Sequence, residues 1–159
     1  MSEEEKIPEE KLNELITVSN EKNRFLSAQQ NIYSHVLKEL QNGKKTSHWM
    51  WFIFPQIDGL GHSSTAKYYS IKSINEAKEY FDHPILGKRL LECCNIILKI
   101  EGRSVEDIFG YPDNLKLKSC MTLFNYAVHN HKVFAEVLNE YFAGEHDEQT
   151  ISILQKMTN

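Results

Sequence analysis

Apolar residues recur at three- and four-residue steps along almost the whole chain, a spacing that commits it to helices packed on helices. Residues 24–41 show this most plainly. Phe25, Ala28, Ile32, Val36, Leu37 and Leu40 share one face of a single predicted helix, which Asn42-Gly43 ends. One run, Trp49–Phe54, is strand-prone, but a sheet needs partners and no other run matches it. It reads as a buried turn or helix. The expected fold is all-α, a single multihelical globular domain.

Capping and breaking residues set the remaining boundaries. Ser73 and Glu76 form a capping-box signature that opens a short helix to about Phe81. Pro84 suits a first helical turn and starts the next helix, which runs to about Ile100. That segment is apolar nearly all round between Leu90 and Leu98, so it is expected to be the central, buried helix. Gly102 closes it, and Ser104 with Asp107 caps a short turn ending at Phe109-Gly110. Further helices are expected from Pro112 to Val128, from Lys132 to Ala143 with Gly144 as stop, and from Glu148 to Met157. Nothing divides residues 20–158, which read as one domain behind an acidic extension over residues 1–19.

Charge and composition narrow the function classes. Residues 1–14 hold six Glu against two Lys, and the rest of the chain carries 16 acids and 16 bases. A neutral body lacks the basic excess of a general nucleic-acid surface. A 159-residue chain that is 41% hydrophobic can build a core without disulfides or metal. Its longest apolar run, Trp49–Phe54, falls far short of the ~20 residues of a membrane span. The first ten residues, MSEEEKIPEE, have no apolar stretch, so no signal peptide is expected. Cys93, Cys94 and Cys120 are odd in number and two are adjacent, which suits buried reduced thiols in a cytoplasmic protein. Cys93 and Cys94 diverge by about 100° on a helix and have no His/Cys partner at ligand spacing, so neither a metal nor a cofactor is expected.

Chemistry concentrates between Gly43 and Tyr69. Lys44 and Lys45 follow a helix-ending glycine, Ser47 and His48 lead into Trp49 and Trp51, and Gln56 ends the aromatic run. The loop Gly59-Leu60-Gly61-His62-Ser63-Ser64 then opens a helix expected from Thr65, with Lys67 in its first turns. Hydroxyls of Ser63 or Ser64 beside backbone N–H groups suit an anion such as phosphate. An indole can stack on a base while lysines pair with phosphates. The competing reading makes the aromatic residues simple core. Ser64 stands where a dinucleotide fingerprint needs its third glycine, and no sheet surrounds the loop.

Histidine is the natural acid–base side chain near neutral pH, yet His48 reads more readily as a hydrogen-bonded histidine at the edge of the core than as a catalyst. A second cluster lies on the helix begun at Pro112. Lys116, Ser119 and Thr122 fall at three-residue steps, with Asp113 one turn before Lys116. If that stripe faces the tryptophan segment, Asp113 and Lys116 do charge work on a ligand; if not, they form an exposed helix pair. The expectation is that the tryptophan-rich run and the lysine-bearing helix are two walls of one recess.

From Arg24 onward the chain resembles a known family. The match is carried by Arg24-Phe25, Ala28-Gln29 and Tyr33, then by Gly43-Lys44-Lys45-Thr46-Ser47-His48-Trp49-Met50-Trp51-Phe52-Ile53-Phe54-Pro55-Gln56. It continues through Gly59-Leu60-Gly61, His83-Pro84, Leu86-Gly87, Arg89-Leu90, Ile108-Phe109-Gly110 and Lys116-Leu117 to Met121-Thr122-Leu123-Phe124. These residues resemble the family catalogued as domain of unknown function 1810, over about residues 20 to 155. The resemblance implies an all-α single domain and supplies no activity. Some members carry a calpastatin-like label, which describes disordered inhibitory repeats, whereas this chain reads as one packed domain.

The functional expectation is a binder of a small nucleotide-like or phosphorylated ligand, such as an ADP-ribose or nucleoside derivative, in a Trp/Lys-lined pocket. Were it an enzyme, it would hydrolyse an N-glycosidic or phosphate linkage, with His48, Asp113 and Lys116 as catalytic residues. Lys44, Lys45, Ser47, Trp49, Trp51, Gln56, Gly61, Ser63, Ser64, Lys67 and Ser119 would bind the ligand. The alternative is a non-catalytic module that uses the aromatic block as a groove for a protein partner.

Overall fold

The computed structural model describes residues 24–158; the acidic extension and the expected domain start at residue 20 lie outside them. The described residues form ten helices and no strand. In chain order these are α1 (Arg24–Gln30), α2 (Tyr33–Gln41), α3 (Met50–Ile53), α4 (Ser64–Tyr68), α5 (Ile74–Asp82), α6 (Leu86–Leu98), α7 (Val105–Phe109), α8 (Asp113–Ala127), α9 (Val133–Phe142) and α10 (Glu148–Thr158). They pack as one helical domain around a single apolar core.

The helix expected over residues 24–41 is two helices. A turn at Asn31-Ile32 lets α1 pack on α3 while α2 packs on α6, and one straight rod could not reach both partners. Gly43, at φ +71°, then reverses the chain behind α2, a conformation that costs a glycine little.

The central helix is α8, not α6. α8 packs against α5, α7, α9 and α10, and it buries nine residues distributed around its axis. α6 leaves Leu91, Ile96 and Leu98 only half-buried. It begins at Leu86 because His83, not Pro84, organises its start: His83 Nδ1 accepts the N–H groups of Ile85 and Leu86. The Ser73 cap and the Ser104–Asp107 capping box form as their spacing predicts. The three cysteines are buried and free.

The strand-prone run becomes the one-turn helix α3, sealed from both sides. Phe25, Trp49, Phe54, Phe124 and Phe134 are among the largest fully buried side chains. Trp49, Phe54 and Phe109 form a ring cluster with centroids 5.8–6.4 Å apart. From the other side the buried Gln29 amide donates to the Phe52 carbonyl at 2.7 Å, and Arg89 in turn donates to Gln29 Oε1. Beyond Pro55 the chain makes a closed excursion. Ile71 N–H bonds to the Gln56 carbonyl and Asp58 N–H to the Ile71 carbonyl, which clamps the base of a loop that carries α4. The Arg24 guanidinium fastens it from outside through the Tyr68 and Ser70 carbonyls.

Candidate functional site

Glu39, in the last turn of α2, organises the approach to the tryptophans. Its carboxylate accepts hydrogen bonds from the Thr46 and Ser47 N–H groups, the Ser47 hydroxyl and the Trp49 indole N–H, at 2.6–3.0 Å. Burial raises the carboxyl's pKa, but the donors, led by the Ser47 hydroxyl, outweigh this and hold it at about 2. Ser47 and Trp49 are therefore committed to structure. Trp49 is fully buried.

Two lysines and one carboxylate bridge the segment to α8. Lys45 Nζ lies 2.7 Å from Asp113 Oδ2, with its side chain only 6% exposed. Lys116 Nζ lies 3.4 Å from Asp113 Oδ1. Each ammonium also faces an indole: Lys45 is 5.0 Å from the Trp49 ring centroid and Lys116 is 4.8 Å from that of Trp51. Asp113 stands in the first turn of α8, where the helix dipole favours a negative charge. Two positive charges against one negative leave this bridge with a net +1, and of the two lysine side chains Lys116 is the more exposed, at 26% against 6% for Lys45.

Above the bridge a cleft of about 450 Å³ opens between the tryptophan run and α8. Trp51, Gln56, Gly61 and Ser63 form one wall, with Leu60, His62 and Ala66; Lys116 and Ser119 form the other, with Pro112 and Leu115. Asp147 and Gln149 close the end. The two walls expected from the sequence thus share one recess. Ser119 Oγ donates to the Leu115 carbonyl and Ser63 Oγ caps α4 by accepting Ala66 N–H, so each hydroxyl reaches the cleft already partly engaged. α4 has five residues, too few to sum much dipole, so positive charge for an anion comes from Lys116.

A second, shallower groove of about 580 Å³ shares Trp51 with the cleft and is lined by His48, Phe52, Ser64, Thr65, Tyr68 and Tyr69. His48 and Ser64 belong there. Lys44 and Lys67 are exposed and line neither recess; the Lys67 carbonyl accepts from Ser70 and Lys72. Thr122, fully buried, donates to the Lys118 carbonyl and accepts Asp147 N–H, which fixes the end of the cleft. Among the described residues no group of three His, Cys, Asp or Glu side chains is placed to hold a metal ion. Among the described residues no helix is long and apolar enough to cross a membrane.

Sequence reasoning missed Glu39, Asp147, His62 and the Phe52–Tyr68–Tyr69 face. His62 reads as part of the glycine loop in the sequence but not as a site residue. Asp147 enters from 31 residues beyond Lys116, and no local spacing announces it.

No functionally curated protein matches the sequence. Among solved structures, the crystal structure of the conserved hypothetical protein Rv1873 from Mycobacterium tuberculosis is similar to this chain, with 45% identity and a TM-score of 0.84. The likeness covers 85% of this chain and 96% of that one. Residues 19–154 match the family described as Protein of unknown function (DUF1810). With most of its length inside that match, the chain belongs to the DUF1810 family.

Proposed function

We propose that the protein binds a small nucleotide-like or phosphorylated ligand, of the ADP-ribose or nucleoside class, in the Trp51–Lys116 cleft. One observation carries this reading: a half-buried lysine, held between Asp113 and the Trp51 ring, faces a recess of about 450 Å³ that Ser63, Gln56 and His62 also line. That volume lies within the range of small-molecule sites, and an anchored ammonium beside apolar surface suits an anionic group with a bulkier body attached. Asp113, itself paired with Lys45, and the Trp51 ring hold Lys116 in place.

The arrangement favours binding over turnover. Asp113 is engaged by both lysines, and Asp147 accepts from the Thr150 N–H and hydroxyl at the start of α10. Hydrolysis of an N-glycosidic or phosphate bond would need a carboxylate or imidazole that can position water. His62, which lines the cleft, is the side chain to test for that role.

The test is a titration of NAD, ADP-ribose and mononucleotides followed by tryptophan fluorescence and melting temperature. The chain has two tryptophans, and Trp51 is the one that lines the cleft. The expected result is a saturable fluorescence change with a raised melting temperature. An unchanged signal across the panel would remove the proposal. A partner-docking role is the second reading, favoured by Tyr111 and Leu115, which are 80% and 47% exposed near the same helix start.

A further inference from the structure

Resting on that reading, we infer that the ligand has two parts and that the groove lined by His48, Trp51, Phe52, Tyr68 and Tyr69 receives a planar base. Lys116 already covers one side of the Trp51 ring at 4.8 Å. A base stacked there would have to displace the ammonium that the anion needs. The groove lies next to the cleft through the same indole and adds the Phe52, Tyr68 and Tyr69 rings as further aromatic surface. Tyr68 is 59% exposed, which is uncommon for so large an apolar face, and it is held rather than loose. Its ring meets Tyr69 edge-on at 4.9 Å, and Tyr69 packs on Phe52 at 5.3 Å. The Tyr68 carbonyl is fixed in turn by Arg24. A supported, exposed aromatic ring beside a lysine that can hold a phosphate is the arrangement by which proteins stack nucleobases without reading their edges. The ligand class is therefore a nucleoside phosphate, not a sugar phosphate or free phosphate.

The test compares AMP, GMP, CMP and UMP with ribose 5-phosphate by calorimetry on the wild-type chain and on Tyr68→Ala, Tyr68→Phe and Lys116→Met. At least one nucleotide is expected to bind tenfold or more tighter than ribose 5-phosphate. Tyr68→Ala should remove most of that ratio and leave ribose 5-phosphate within twofold, while Tyr68→Phe restores it. Lys116→Met should weaken every phosphate alike. If ribose 5-phosphate binds as well as every nucleotide, and depends on Lys116 but not on Tyr68, the inference is wrong and the cleft proposal survives. If no probe binds, or binding ignores Lys116, both fall together.

Discussion

Lys45 and Asp113 meet at 2.7 Å with the lysine side chain 6% exposed, a nearly buried ion pair that joins the segment before Trp49 to the first turn of the central helix. Removing Asp113 leaves Lys45 without its ion-pair partner in a poorly hydrated place, which costs more than the pair itself contributes. Asp113→Ala is expected to destabilise the fold by roughly 2–4 kcal/mol. The double variant Lys45→Met/Asp113→Leu should recover at least half of that loss. Urea denaturation of the wild type and the two variants checks this, and a cost under about 1 kcal/mol for Asp113→Ala would mean that the pair is effectively hydrated.

The two tryptophans should separate stability from binding. Trp49 is fully buried between Phe54 and Phe109, so Trp49→Ala is expected to cost about 3–5 kcal/mol. Trp51 is half-buried at the junction of both recesses, and Trp51→Ala should cost under half as much while abolishing ligand-induced stabilisation. Thermal melts with and without ligand distinguish the two.

Glu39 makes stability depend on acid pH. Its folded-state pKa is lowered from the ordinary 4.5 to about 2, so its contribution is complete above 4.5 and is lost as pH falls toward 2. Glu39→Gln should flatten the melting-temperature profile across that window and lower the plateau above it. Glu39→Ala should cost about 1–3 kcal/mol near neutral pH, because the Trp49 indole N–H loses its acceptor. A variant profile parallel to the wild type between pH 2 and 4.5 would assign the acid sensitivity to other carboxylates.

Gly87, in the first turn of α6, sits directly against the backbone of α5. A Cβ there would stand 1.8 Å from the Phe81 carbonyl oxygen, a backbone atom that cannot step aside without moving α5. Gly87→Ala is expected to prevent stable folding, whereas Gly102→Ala, at φ +72° with open space around it, should cost about 1 kcal/mol. Circular dichroism melts of the two variants make the comparison.

Burial pushes the Cys93 thiol up to about 12 and raises Cys94 and Cys120 well above the ordinary range. All three should be unreactive toward a thiol reagent at neutral pH and should label together only on unfolding. Rapid labelling of the native protein would contradict the burial.

Helical periodicity made the architecture legible, because apolar spacing and cap residues are local signals. Ser73, Ser104 and Gly43 placed their boundaries within a residue or two. The break at Asn31-Ile32 was not legible, since it answers to two packing partners that lie far away in sequence. The rank of α6 and α8 reversed for a related reason. Composition showed α6 as the more apolar helix, but buried Ser119 and Thr122 do not weaken α8, because each hydroxyl donates to a carbonyl one turn back. Of the buried Asn114 amide only Nδ2 is bonded, to Glu106, and Oδ1 has no partner among the described residues. In the site, Lys116 and Trp51 could be named from residue type, whereas their meeting in one recess depends on long-range packing that no local spacing encodes. The role of Glu39 had no signature: an acidic residue one turn before a helix end reads as solvated until the chain folds back on it. Trp49 and Trp51 look alike in sequence, and only the fold turns one indole into the core and leaves the other at the cleft.

Calorimetric titration of ADP-ribose into the wild-type protein and into Lys116→Met addresses the central claim. Saturable one-site binding to the wild type is expected, weakened tenfold or more in the variant, whose melting temperature should stay within a few degrees. Equal affinity in both proteins, or none in either, would contradict a ligand cleft built around Lys116 and Trp51.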